Sequence, residues 1–414
     1  MNPESGRTVS VLVTHREEQQ RLLGPFPVPG PHWPEVGSVN TCLAAVLGVP
    51  TLVLRLLDVR GGGHARGGHV TYHAEALSRP LSGPVGMPVT RDQLAQLLPH
   101  PRRAGYATVA GLSSALAWAE AELRALGRPV TGPVEQVKTW NLAGLCRLPT
   151  AAGSAWLKTG RAFSVDEAAA IALLRGADPS LAPEVLAADP ARRLLLLEHV
   201  AGEDCWDPSV EAVAQAVPGL ARAQAALAAR FADSTPPGLP DRSPRALVEL
   251  TGHLLAGPAG AELTGDERTR AGRLVERLPA LVERLARCGL PNTLLHGDFH
   301  PGNWRSDGRH TVLVDFADSC FGHPALDGLR PRAFTSPERW RQAADAWTRS
   351  WRELVPGCDP VGALRLAEPL AHLADAVRYQ EFLDGIEPSE QRYHAGDPAA
   401  GLRAALTAFE ALPA

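Results

Sequence analysis

The chain has 414 residues. It lacks any stretch of about 18 apolar residues, so no membrane-spanning helix is expected. Its six cysteines, at 42, 146, 205, 288, 320 and 358, form no CxxC pair. Zinc-ribbon and dithiol-redox readings therefore have no support. Scattered single thiols suit a reducing compartment, and the expected location is cytoplasmic. An excess of one charge is also missing. Lys and Arg total 41 against 45 Asp and Glu, a net charge of -4. No broad basic face is available for nucleic acid, so no nucleic-acid or membrane partner is expected. The first twenty residues carry no basic segment followed by an apolar one, so no secretory signal is expected. HExxH, GxSxG, a P-loop lysine motif and an ordered Ser–His–Asp set are all missing. Tyrosine (4), methionine (2) and lysine are scarce, whereas Ala, Leu, Arg, Gly and Pro are abundant. That bias reads as one of the coding DNA, not of function.

With 45% hydrophobic and 21% charged residues, the balance is globular, and the length suits two or three domains. Residues 1–130 read as an accessory α/β unit. TVSVLVT, TLVLRLL and HVTYHAEAL are strand-like, and PFPVPGPHWP reads as a Pro-rich loop. Val36 to Leu47 is a helix stopped by Gly48, and SSALAWAEAELRALG is an amphipathic helix ended by Gly127. Residues 131–200 offer strands in VEQVKTWNL, LCRLPT, AWLKT and RLLLLEHV. The helix VDEAAAIALLRG follows Ser164 as its expected N-cap. Residues 201–414 read as mostly helical, with candidates at 209–231, 263–288, 337–352, 362–384 and 398–411. Pro/Gly-rich loops are expected around 233–246 and 255–260. One β-rich insertion, NTLLHGDFHPGNWRSDGRHTVLVDFADS, interrupts the helices.

That insertion carries the chemistry. Asp298 and Asn303 stand five apart in HGDFHPGNW, on a loop between two strand-like segments. Asp315 follows Asn303 by twelve, at the end of TVLVDF. Phosphoryl transfer needs such a set: one carboxylate to orient the attacking hydroxyl and take its proton, and an Asn and an Asp to hold magnesium on the nucleotide phosphates. Turn caps and a strand end would explain any one of these residues alone, but not all three in this order.

HGDFHPGNW followed by VDFADSCFGHPALD resembles the signature of the aminoglycoside phosphotransferase family, which is itself similar to choline kinases. The resemblance covers residues 132–410 and is strongest over 294–328. It implies an α+β, two-lobed protein-kinase-like fold, with a β-rich N-lobe over 131–200 and a helical C-lobe with the catalytic hairpin over 201–414. It implies ATP and Mg2+ as cofactors. Asp298 matches the catalytic base and His296 the histidine that supports the catalytic turn. Asn303 and Asp315 match the metal ligands. His300 and Asp318 match positions often filled by His and Asp, and Asp327 matches a structural Asp. Lys158 looks like the strand lysine that pairs the nucleotide phosphates, and Glu167 like its helix partner. Leu197, Glu198 and His199 fall where a hinge would bond adenine. Gly144 and Gly153 could cover the phosphates, or could be hairpin turns. DFAD in place of DFG, and no APE segment, argue against a protein substrate.

Two acidic groups are candidates for acceptor binding: Glu203, Asp204 and Asp207 after the hinge, and Glu387, Glu390 and Asp397 near the end. Both are also open to a solvated-surface reading. The order of elements in residues 1–130 faintly resembles Nudix domains. The helix there has Thr41, Cys42, Ala45 and Val46 where a hydrolase would need carboxylates, so such a unit would be inert. The expected activity is transfer of the γ-phosphate of ATP to a hydroxyl of a small molecule bearing hydroxyl or amino groups. A kinase of another sugar, amino sugar or amino alcohol is one rival. An idle nucleotide-binding regulatory protein is the other. The sequence leaves the acceptor, the oligomeric state and the nucleotide preference open.

Overall fold

The computed structural model describes residues 6–15, 19–79, 87, 89–231 and 236–413. They form two compact units. The first takes in the chain up to Phe163, Leu186–His199 and Phe382–Ala395, and the second takes in Ser164–Val185, Val200–Glu381 and the chain from Gly396.

The first unit is sheet-rich. Strands β1 (Gly6–His15), β2 (Gln19–Pro29), β3 (Thr51–Arg60) and β4 (His69–Ala76) form one sheet in the order β2-β1-β4-β3. β1 runs antiparallel to β2 and parallel to β4. The segment expected as a Pro-rich loop thus begins as β2. Its prolines are tolerated because β2 is an edge strand and need not donate on its open side. Helix α1 (Gly37–Leu47) buries Val39, Leu43 and Leu47, spaced to one face, and ends where Gly48 takes φ 69°. They join Val9, Val11, Val53 and Tyr72 in one core.

A second sheet in this unit has the order β5-β6-β7-β9-β8, from Glu135–Thr139, Ala143–Thr150, Gly153–Gly160, Val185–Asp189 (β8) and Leu194–Glu198 (β9). Helix α2 (Val109–Ala125) packs Leu112, Ala115, Ala119 and Leu123 against it, in a core with Leu54, Leu148, Leu157 and Leu196. That core crosses residue 130. Gln136 reinforces it, because its side chain accepts from Val53 N at 2.9 Å and donates to Val53 O at 2.6 Å. The expected boundary at 130 is therefore not where the chain divides.

The second unit is helical. It contains α3 (Glu167–Ala177), α4 (Val210–Arg230), α5 (Pro244–Ala256), α6 (Gly265–Ala286), α7 (Pro337–Leu354), α8 (Pro360–Gly385) and α9 (Asp397–Glu410). α3 is capped by Asp166, which accepts from Ala169 N, and not by Ser164. α5 was hidden between the two expected loops. Ser243 caps it and Pro244 fills its first turn, so the proline starts a helix there. Residues 233–235 of the first of those loops lie outside the described residues. Strand β11 (Thr293–Leu295) leads into the HGDFHPGNW loop. β12 (Trp304–Ser306) and β13 (Thr311–Leu313) form an antiparallel hairpin, with β10 (Glu203–Asp204) on the other edge of β12. The class is α+β, with a sheet-rich and a helical unit. Among the described residues no helix is long and apolar enough to cross a membrane.

Candidate active site

The loop after β11 is fastened from below by Asp327. Its carboxylate accepts from His296 N at 2.8 Å, Gly297 N at 3.0 Å and Gln224 Nε2 at 2.8 Å. Burial pushes the Asp327 carboxyl up to about 6, against the pull of those donors. Gly297 has φ 82°, and a Cβ there would meet Asp318 O at 1.9 Å, so only glycine fits.

His296 ties the loop to the hairpin. Its Nδ1 accepts from Asp298 N at 3.3 Å, which leaves Nε2 to donate to Val314 O at 3.1 Å. Burial lowers the imidazole to about 4, so the ring is neutral at pH 7 and keeps that tautomer. His296 is a brace between the two halves of the candidate site.

Asp298 is one-fifth exposed and accepts from four donors. Oδ1 receives Arg330 Nε at 2.8 Å and Nη2 at 2.7 Å. Oδ2 receives Asn303 Nδ2 at 3.1 Å and His300 Nε2 at 3.2 Å. His300 Nδ1 accepts from Gly302 N at 3.1 Å, so its proton is on Nε2, and its ring stacks on Phe334 at 4.1 Å. Burial alone would raise the Asp298 carboxyl, but the Arg330 charge, the His300 bond and the Arg378 charge overcome it and hold the group well below the usual carboxylate range.

Asn303 also donates to Asp298 O at 3.0 Å, and its own carbonyl accepts from Val314 N at 2.9 Å. The amide nitrogen of Asn303 is thereby committed to Asp298, which leaves its side-chain oxygen as the atom that could hold a metal ion. The antiparallel hairpin pairs Trp304 with Leu313, and so carries Asn303 and Asp315 at the same end. Asp315 has φ 66°, a left-handed conformation rare for a residue with a side chain. Such strain clusters at functional sites. Glu167, the first residue of α3, accepts from Phe316 N at 2.9 Å, right beside Asp315. Glu167 therefore also shapes the Asp315 turn, a role the sequence did not suggest.

Asp318 accepts from Arg378 Nη1 at 3.0 Å. Asp204 pairs with Arg305 at 2.6 Å on the edge of the hairpin, and Glu203 beside it is exposed. In the sheet-rich unit, Lys158 lies on β7, opposite Leu145 and Leu195. Glu198 accepts from Arg128 Nη2 at 3.1 Å, and the His199 ring accepts from Trp156 Nε1 at 3.0 Å.

Glu387 and Glu390 require a correction. They are not a solvent-facing acceptor rim. Both are buried in the sheet-rich unit, where Glu387 pairs with Arg55 at 3.3 Å and Arg103 at 3.0 Å, and Glu390 with Arg161 at 2.8 Å. With their oxygens turned to arginines, they are removed from the acceptor list.

The sequence model of the phosphotransferase enzyme family matches residues 161–355. The match contains Asp298, Asn303 and Asp315, and the chain is a phosphotransferase. No curated protein matches it. Among solved structures, the chain is similar to a choline/ethanolamine kinase family protein from Mesorhizobium loti at 17% identity, covering 71% of this chain and 98% of that one, with a TM-score of 0.49. It is also similar to a macrolide 2'-phosphotransferase from Brachybacterium faecium at 20% identity, with coverage of 71% and 98% and a TM-score of 0.46.

Proposed function

We propose that this phosphotransferase moves the γ-phosphate of ATP to a hydroxyl of a small molecule, with Asp298 receiving the acceptor hydroxyl. The observation that carries the reading is the joined set of Asp298, Asn303 and the strained Asp315 on one loop and hairpin. Magnesium would be held by Asn303 and Asp315. Among the described residues no three His, Cys, Asp or Glu are grouped as a metal cage. A phosphate-bridging magnesium needs only one or two protein oxygens, so the donor set fits. When bound, the ion neutralises charge on the phosphates. On the resemblance, Lys158 pairs with the phosphates.

The protein's own part is positioning. A carboxylate offers about four lone-pair sites, and Asp298 has four donors on it. An incoming hydroxyl must displace one. The Arg330 contact is charge-assisted and puts two nitrogens on Oδ1, so it is the harder to move. The single donors on Oδ2, from His300 and Asn303, yield first. Asp298 thus takes the hydroxyl on its Oδ2 side. Arg330 makes it a weak base, which suits a loose transition state in which the proton leaves late.

The test is turnover of ATP with magnesium against a panel of sugars, amino sugars, amino alcohols and aminoglycosides. Asp298→Asn is expected to lose about 10²–10⁴-fold in rate with nucleotide binding nearly intact. Near-normal turnover in that variant sinks the assignment. Nucleotide binding with no turnover of any acceptor, or of water, favours an idle regulatory protein.

A further inference from the structure

Two side chains on α8 stand out because nothing in the motif calls for them. Asp375 and Arg378 are three apart and therefore share one face of the helix. Asp375 Oδ1 accepts from Arg378 Nη2 at 2.9 Å, and Asp375 Oδ2 accepts from Arg330 Nη1 at 2.9 Å. Arg330 continues to Asp298 Oδ1 through Nε and Nη2. Arg378 Nη1 donates to Gly297 O at 2.7 Å and to Asp318 Oδ2 at 3.0 Å. Gly297 is the residue before Asp298. The contacts therefore close a ring: Asp298 to Arg330, to Asp375, to Arg378, to the Gly297 carbonyl, and by the chain back to Asp298.

We propose that Asp375 and Arg378 are positioning residues for phosphoryl transfer, holding the carboxylate plane and the backbone of Asp298 through this ring. The inference rests on the reading of Asp298 as the group that receives the acceptor hydroxyl.

The geometry supports it in three ways. Arg330 uses three different nitrogens, two on Asp298 and one on Asp375. Because the guanidinium is planar and rigid, fixing Nη1 on Asp375 fixes the direction in which Nε and Nη2 point. Phe334 also lies under the Arg330 guanidinium at 4.9 Å, which limits its motion out of plane. Arg378 likewise divides its donors between a carboxylate partner on its own helix and the carbonyl of the turn that carries Asp298. Without the ring, Asp298 would keep His300 and Asn303 on Oδ2 but could rotate about them. A structural ion network would stabilise the helical unit as well. It would have no reason to join both the side chain and the preceding carbonyl of the one residue the chemistry needs.

The experiment uses the full chain, magnesium and ATP, with water as the acceptor, and follows ADP formation. Asp375→Asn keeps the shape and one acceptor oxygen but removes the charge that anchors Arg330. We expect the rate constant to fall at least about tenfold, since a displacement of about 1 Å can cost about 10²-fold. KM for ATP should stay unchanged, as no nucleotide contact is altered. Arg330→Ala should lose more, and millimolar guanidinium should restore part of its rate. Arg330→Lys should recover little, because an ammonium cannot span Asp298 and Asp375 together. Melting of each variant is measured alongside, so that a loss explained by unfolding is recognised. Normal rates in Asp375→Asn and in Arg378→Met overturn the proposal. So does a loss that follows the fraction unfolded, with no response of Arg330→Ala to guanidinium. A wild-type chain that binds ATP but forms no ADP with water or with any acceptor of the panel overturns the functional reading as well, which separates the two failures.

Discussion

The two units each contain a cluster of acidic side chains and arginines, and they use the same pairing in opposite ways. In the sheet-rich unit, Arg55, Arg161, Glu387 and Glu390 are each no more than 4% exposed. In the helical unit, Asp298, Asp318 and Asp375 are 21%, 20% and 27% exposed. The first cluster has three arginines, with Arg103, for two carboxylates. The second has three carboxylates for two arginines. A sealed cluster can only hold the fold together. A carboxylate that keeps a water-facing edge can receive something, and Asp298, at the centre of the candidate loop, is such a group. Similar chemistry becomes structural or functional according to whether one oxygen remains reachable.

The largest expected effect breaks the sealed cluster. Glu387→Gln leaves Arg55 and Arg103 buried without the charge that balances them. Stripping one partner from a buried pair typically costs about 3–5 kcal/mol. Urea unfolding should show that loss, whereas Asp375→Asn, a quarter exposed, should cost no more than about 1 kcal/mol of stability. The comparison breaks if the two variants are equally destabilised. A smaller effect sharpens it. Replacing Arg161 and Glu390 together by Met removes both charges at once, and should destabilise less than either single replacement. Additive losses in that double variant would mean the pair is not a pair.

The candidate loop was legible because its residues sit within twenty positions and their order is the one phosphoryl transfer would need. The ring on α8 was not. Arg330 meets Asp298 across 32 positions and Arg378 meets Gly297 across 81, in a chain where arginine is abundant. The available signal was an Asp and an Arg three apart in the mostly apolar AHLADAVR run of α8. Glu387 and Glu390 were misread for the same reason. An acidic run near the end of a chain looks solvated, and the arginines that bury it come from far along the chain, Arg103 from 284 positions away and Arg55 from further still. The clue lay at the other end, in Arg55 at the middle of TLVLRLL, since an arginine inside a buried strand demands a partner. Lysine was the opposite case. The chain has only Lys138 and Lys158, so few positions competed for the phosphate role.

The smallest expected effect is an acid one, and it compares the two units through one buried histidine in each. Burial lowers His73 of the sheet-rich unit to about 3, helped by the Arg55 and Arg103 charges, and burial alone lowers His323 of the helical unit to about 3. In the unfolded chain both protonate near 6.5. As pH falls below 6.5, the unfolded state takes up a proton that the folded state refuses until near pH 3. Stability contributed by neutral burial is therefore complete above pH 6.5 and is lost as pH falls toward 3. Each histidine should contribute a slope of about 1.4 kcal/mol per pH unit between pH 6 and 4. His323 is the cleaner site, because its Nδ1 accepts from Ala325 N at 3.2 Å and its Nε2 has no partner among the described residues. Asparagine can offer an oxygen to the same N–H and does not titrate. His323→Asn should lower stability at pH 7 through lost packing, yet flatten the acid slope by about 1.4 kcal/mol per unit. Chemical unfolding at pH 7, 6 and 5 reads both quantities. An unchanged slope would mean that His323 already carries its proton in the fold, and that burial in the helical unit does not keep the ring neutral.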